Sequence, residues 1–105
     1  MSSPRLESLL QFLEKDPDDS FTRYAIALEY VSEGNIEKGI AYLEDLLERD
    51  PGYVATYLQL GYLYTETEHK EDALAILKRG IDIARQSGDM HAASEMQDAI
   101  DELEY

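Results

Sequence analysis

The chain has 105 residues, and its 23 acidic against 9 basic side chains give a formal net charge of −14. That length suits one domain with one core, and that charge repels duplex phosphates and anionic membrane faces, so nucleic-acid and membrane-surface roles are excluded. The absence of cysteine removes disulfides, thiolate nucleophiles and sulfur-based zinc sites, and fits a cytoplasmic protein.

The opening Met1-Ser2-Ser3-Pro4-Arg5-Leu6-Glu7 carries no apolar run of signal-peptide or membrane-spanning length. Pro4 after Ser3 is a good helix start. Leu6, Leu9, Phe12 and Leu13 then recur at helical spacing and predict a helix over 4–15. Asp16-Pro17-Asp18-Asp19-Ser20 interrupts it, and Asp18 or Asp19 is placed to cap a second helix over 19–33. Ile26, Ala27 and Tyr30 give that helix a packing face, and Gly34 and Asn35 suit the left-handed turn that ends it. Ile36, Ile40, Leu43 and Leu47 predict a third helix over 36–49, closed by the breaker Asp50-Pro51-Gly52. A fourth helix over 53–67 packs through Leu60, Gly61 and Tyr64. The turn after it, Glu68-His69-Lys70, has no glycine. A fifth helix covers 70–87. Gly88 stops it, and Asp89 caps a sixth over 89–104 with an apolar stripe of Met90, Ala93, Met96, Ile100 and Leu103.

These elements repeat with a period of 34. The step pairs Pro17 with Pro51, Ile26 with Leu60, Ala27 with Gly61 and Tyr30 with Tyr64. It continues through Gly39 with Ala73, Ile40 with Leu74, Leu43 with Leu77 and Leu47 with Ile81. Small residues at Ala27 and Gly61 let a second helix approach closely. Leu6, Leu9, Phe12 and Leu13 fall one step before Ile40, Leu43, Leu46 and Leu47, so the first helix matches the second half of a repeat. The step fails in the sixth helix, where Ser94 and Glu95 replace an apolar and a small residue, and that helix reads as a cap over the last apolar face.

The pattern resembles the tetratricopeptide repeat family. The resemblance rests on Ile26-Ala27, Tyr30, Gly39, Leu43 and Pro51 in the first unit. In the second it rests on Tyr57, Leu60-Gly61, Tyr64, Ala73, Leu77 and Gly80. Arg23 departs from the aromatic that Tyr57 supplies, Gly39 stands where alanine is usual, and Arg85 stands where a proline would fall. The resemblance implies an all-α, right-handed antiparallel helix-pair solenoid of about six helices. The expected organisation is a single domain over 1–105: a half-repeat helix at 4–15, repeats at 20–53 and 54–87, and a capping segment at 88–105.

Reactive chemistry is thin. His69 and His91 lie 22 residues apart, and neither a Gly-rich phosphate loop nor Gly-x-Ser-x-Gly occurs. Residues 16–20 lack the glycine and the distal bidentate glutamate of a calcium loop. The acids of 66–72 are placed to complement the next helix's dipole, a metal-dependent enzyme built on them being the remote alternative. His91 with Asp89 and Ser94 on one helix start is not a triad. No catalytic residue, metal ligand or cofactor is assigned, and the chain is not expected to be an enzyme.

In this family the first helix of each pair lines a concave groove, as the resemblance implies. Here the remaining face of those helices carries Phe21, Tyr24, Leu28 and Val31, then Leu58, Tyr62 and Thr65. A helix apolar on two faces is buried on both or offers one to a partner. For Phe21 and Tyr24 both readings stand, since Leu9, Phe12 and Leu13 of the first helix also need cover. A familiar use of such grooves clamps a terminal carboxylate with lysine, asparagine and arginine. Tyr24, Leu28, Gln59, Asp89 and Ala93 stand at those places, and only Gln59 keeps an amide, so no such clamp is expected. The function expected is protein–protein interaction. A peptide or helical segment would be held in the groove by Tyr24, Leu28, Leu58, Gln59 and Tyr62, with Leu58 and Tyr62 as anchors. A homodimer scaffold closed by the same stripe, or by the Met90 and Met96 face, is the alternative. With 4 lysines against 5 arginines, the acid-rich surface also resembles that of salt-adapted cytoplasmic proteins.

Overall fold

A computed structural model describes residues 3–105, and among these every regular element is a helix. In chain order they are α1 (Pro4–Lys15), α2 (Ser20–Ser32), α3 (Ile36–Arg49), α4 (Ala55–Glu66), α5 (Lys70–Gln86) and α6 (Met90–Glu104). The six expected helices are all present, with ends shifted by no more than two residues. The chain forms two compact units, one ending at Pro51 and one beginning at Gly52.

Side-chain caps start most of these helices. Ser3 accepts from the Leu6 N–H at 3.0 Å, Asp19 from Thr22 at 3.0 Å, and Asp89 from Ala92 at 3.0 Å. Each satisfies an amide that has no partner inside its helix. Asn35 also caps, accepting from Lys38 at 3.3 Å with φ −96, so only Gly34 of that pair takes the left-handed role, at φ +85. Three helices end in the same closure. Asn35 N–H reaches Tyr30 O at 2.8 Å, His69 reaches Tyr64 at 2.7 Å, and Asp89 reaches Ala84 at 2.8 Å. The left-handed residue is Gly34 in the first, Gly88 in the third, and Glu68 at φ 64 in the second. The turn without a glycine is therefore built like the others, with Glu68 one 34-residue step beyond Gly34.

In the first unit α2 packs on both α1 and α3. Its core is Leu6, Ile26, Ala27, Leu43 and Leu46, all fully buried. Gly39 makes the α2–α3 approach possible, because a Cβ there would sit 2.5 Å from Val31 Cγ2 and 3.1 Å from the Ala27 carbonyl. Ser20 Oγ donates to Asp50 Oδ2 at 2.6 Å and ties the start of α2 to the end of α3. In the second unit α5 packs on α4 and α6, around Tyr57, Leu60, Leu77, Ala84 and Met96. Gly61 and Gly80 admit Leu77 and the Tyr57–Met96 pair, each at 2.5 Å from where a Cβ would be.

Candidate functional site

The groove residues named from the sequence fall on α2 in the first unit and on α4 in the second. On α2 the packing face is buried at Ile26 and Ala27, whereas Tyr30 is half-buried. Its ring lies 5.5 Å from that of Tyr42 on α3, and Lys38 Nζ sits 5.3 Å above it. Burial, followed by the neighbouring Tyr30, pushes the Tyr42 phenol pKa up from its ordinary value; Asp45 adds to this and Arg23 opposes it. On the other stripe Phe21 is 66% exposed, and Tyr24, Leu28 and Val31 are half-buried. Of the two residues left open between groove and packing on the first helix, Phe21 is exposed and Tyr24 is half-buried.

On α4, Tyr57, Leu60, Gly61 and Leu63 are buried. Leu58 and Gln59 are half-buried, and Tyr62, one turn after Leu58, is 44% exposed. Thr65 is exposed, and its hydroxyl folds back to the Gly61 carbonyl at 2.7 Å. Apolar side chains one turn apart, Leu58 and Tyr62, therefore face away from the core on a helix already anchored by its opposite side.

Three features lie beyond the sequence reading. First, Arg23 is 8% exposed. Its Nε and Nη2 donate to the Pro17 carbonyl at 2.9 and 2.7 Å, and its Nη1 donates to Asp45 at 2.9 Å. Asp45 also accepts from Arg49 at 2.8 Å. The departure from the family's aromatic is thus a buried guanidinium, each of whose three nitrogens donates to an oxygen. Asp45, 22 residues on, gave no local sequence signal for it. Second, Thr56 is fully buried and its hydroxyl has no partner among the described residues. Third, Arg5, Ser8, Leu9 and Phe12 of α1 line a depression of about 410 Å³ with Asp19, Phe21 and Thr22. Phe12 is 52% exposed there.

In the 66–72 segment Thr67 Oγ1 and His69 Nδ1 lie 2.9 Å apart, and His91 Nε2 meets Glu95 at 2.7 Å on α6. Among the described residues no three His, Asp or Glu side chains gather as a metal would need, and no helix is long and apolar enough to cross a membrane.

One tetratricopeptide repeat profile matches residues 30–96, and a second matches residues 1–57. The chain belongs to the tetratricopeptide repeat family. Among tetratricopeptide proteins it is similar to a TPR repeat-containing protein of Pseudomonas aeruginosa, 28% identical over 91 residues that span 87% of each chain. It is also similar to a tetratricopeptide repeat domain protein of Salinibacter ruber solved by solution NMR. That match is 43% identical with a TM-score of 0.81, covering 85% of this chain and 90% of that one. The TPR2B domain of yeast Sti1, solved in a complex with pHsp70, shares the fold at a TM-score of 0.87 and 15% identity, over 94% and 79% of the two chains. The fold class is thus all-α, of tetratricopeptide type.

Proposed function

We propose that this tetratricopeptide protein is a non-enzymatic interaction module that holds a peptide or helical segment. Its expected contact residues are Leu58 and Tyr62, then Tyr24, Leu28 and Gln59. Proteins of this family are in general interaction modules. The observation that carries the reading is Tyr62, a large apolar side chain left 44% exposed on a helix whose other face is buried. Aromatic side chains supply large contact area at low entropic cost, which suits a binding anchor. The partner chemistry that fits is an apolar segment with basic flanks, since the chain carries a net charge of −14. The same charge opposes the alternative of a homodimer through these faces. We also take the repeats to run over 20–53 and 54–87 within one domain.

Panning a random peptide library against the chain tests the reading. Selected peptides should carry apolar anchors and basic flanks, and should bind the Tyr62→Ala variant about tenfold more weakly while its helicity stays unchanged. Equal binding to both forms would remove Tyr62 as an anchor. Parallel loss of helicity and binding would make it a core residue. Light scattering at two concentrations decides the dimer, because a monomer at both excludes an obligate homodimer.

A further inference from the structure

Among the described residues, one face of α1 has no helix packed on it as α2 packs on α3. Stepping back by 34, Arg5, Ser8, Leu9 and Phe12 of α1 correspond to Gly39, Tyr42, Leu43 and Leu46 of α3. On α3 this face is the one α2 covers: Gly39 meets Val31 and Ala27, Tyr42 meets Tyr30, and Leu43 and Leu46 are fully buried. On α1 the same four positions line the depression of about 410 Å³, and Phe12 stands 52% exposed where Leu46 is 0%. Leu6 is buried, and its counterpart Ile40 is half-buried. So α1 uses one face to hold α2, and its other face is uncovered among the described residues.

The α2–α3 pair also fixes how a helix would lie there. These two helices run antiparallel, and Ser20 at the start of α2 donates to Asp50 at the end of α3. The residue 34 before Asp50 is Asp16. A helix seated on α1 in the same way would bring its first turn to the segment holding Glu14, Asp16, Asp18 and Asp19 against Lys15 and the Arg23 guanidinium on the Pro17 carbonyl. At the opposite end Arg5 is anchored by its Nε on Glu29 at 3.2 Å. An incoming helix therefore meets acids at its N-terminus, where its dipole and any basic side chains are favourable.

We propose that the α1–α2 face bearing Phe12 and Phe21 binds an amphipathic helix from a partner protein, seated as α2 sits on α3. That helix carries basic residues in its first turn and apolar anchors along one side. A second copy is the poorer fit, because each copy carries −14. This seat is independent of the α4 contact residues proposed above.

A labelled peptide copying residues 20–33, with Ser20→Lys and Phe21→Lys, is the probe, followed by fluorescence anisotropy. A control peptide carries Ser20→Glu and Phe21→Glu. Saturable binding of the basic peptide is expected. It should be weakened about tenfold by Phe12→Ala in the protein, and weaker for the acidic peptide and in high salt. Amide shift changes in the unmutated protein should centre on Arg5, Ser8, Leu9 and Phe12, so the result does not hang on one variant's folding. Failure to saturate by about 1 mM, the affinity floor of a weak complex, would overturn the proposal. Shifts centred elsewhere, or a preference for the acidic peptide, would do the same. Dimerisation of the protein that Phe12→Ala abolishes would give the seat to a second copy instead.

Discussion

Thr22 and Thr56 occupy the same register position, 34 residues apart, and are both buried. Their hydroxyls have opposite fates. Thr22 Oγ1 donates to Asp19 Oδ2, which also accepts the Thr22 N–H. At Thr56 the equivalent of Asp19 is Tyr53, whose side chain offers no carboxylate. The Thr56 N–H reaches the Tyr53 carbonyl at 3.2 Å, and the hydroxyl is left with no partner among the described residues. Replacing threonine by valine keeps the shape and β-branching and removes the hydroxyl alone. Thr22→Val deletes a hydrogen bond to a charged acceptor and should cost about 1.5 kcal/mol, since such bonds contribute about 1.5–3 kcal/mol. Thr56→Val deletes an unsatisfied buried group, whose burial costs about 1–3 kcal/mol, and should stabilise by about 1 kcal/mol. For a chain of this size 1 kcal/mol shifts Tm by about 4–8 °C, so the two variants should separate by about 10 °C or more. Thermal unfolding followed by circular dichroism at 222 nm reads this directly. A Thr56→Val loss as large as that of Thr22→Val would refute the reasoning, because it would mean the Thr56 hydroxyl is satisfied.

Four further outcomes are expected. Glu68→Gly should raise Tm by a few degrees, because the left-handed φ of 64 costs a non-glycine residue about 1–2 kcal/mol, partly offset by glycine's extra unfolded-state entropy. Gly80→Ala should lose about 2 kcal/mol in urea titrations despite a better helix propensity. Its Cβ would fall 2.5 Å from both Tyr57 Cβ and Met96 Sδ, and Tyr57 Cβ cannot swing away. Arg23→Lys should cost about 2 kcal/mol by the same titration, as one ammonium cannot reproduce the fork that joins Pro17 O to Asp45. Finally, Tm should climb steadily from low salt toward molar salt as screening relieves the repulsion within a chain of charge −14; a flat profile would show that its acids do not repel strongly enough to matter.

The helix boundaries were legible because their signals are local. Ser3, Asp19 and Asp89 cap within three residues, and Gly34 and Gly88 announce left-handed turns wherever they occur. Glu68 carried no such signal in itself; only the step of 34 from Gly34 pointed to it. The burial of Arg23 was illegible for a different reason. Its partners are a backbone carbonyl, which every residue has, and Asp45, which sits on another helix. Phe21 was ambiguous because an apolar side chain on a second helix face does not say whether a neighbour covers it. The structure supplies that fact, leaving it 66% exposed.

Comparing the two repeats within one chain separates what the fold requires from what it leaves free. Arg23 and Tyr57 fill the same position, one with a guanidinium whose three nitrogens each donate to an oxygen, the other with a ring packed against Gly80. The place must be filled, and either chemistry fills it. The outer stripe behaves differently. Tyr24 and Leu28 of α2 correspond to Leu58 and Tyr62 of α4, so both copies keep one aromatic and one aliphatic residue there but exchange their order. Packing within a unit leaves Tyr62 44% exposed. The stripe is half-buried at Tyr24, Leu28 and Leu58 and exposed at Tyr62, and its apolar character at both copies fits the contact proposed above. The exchanged order gives each repeat a different shape to present there.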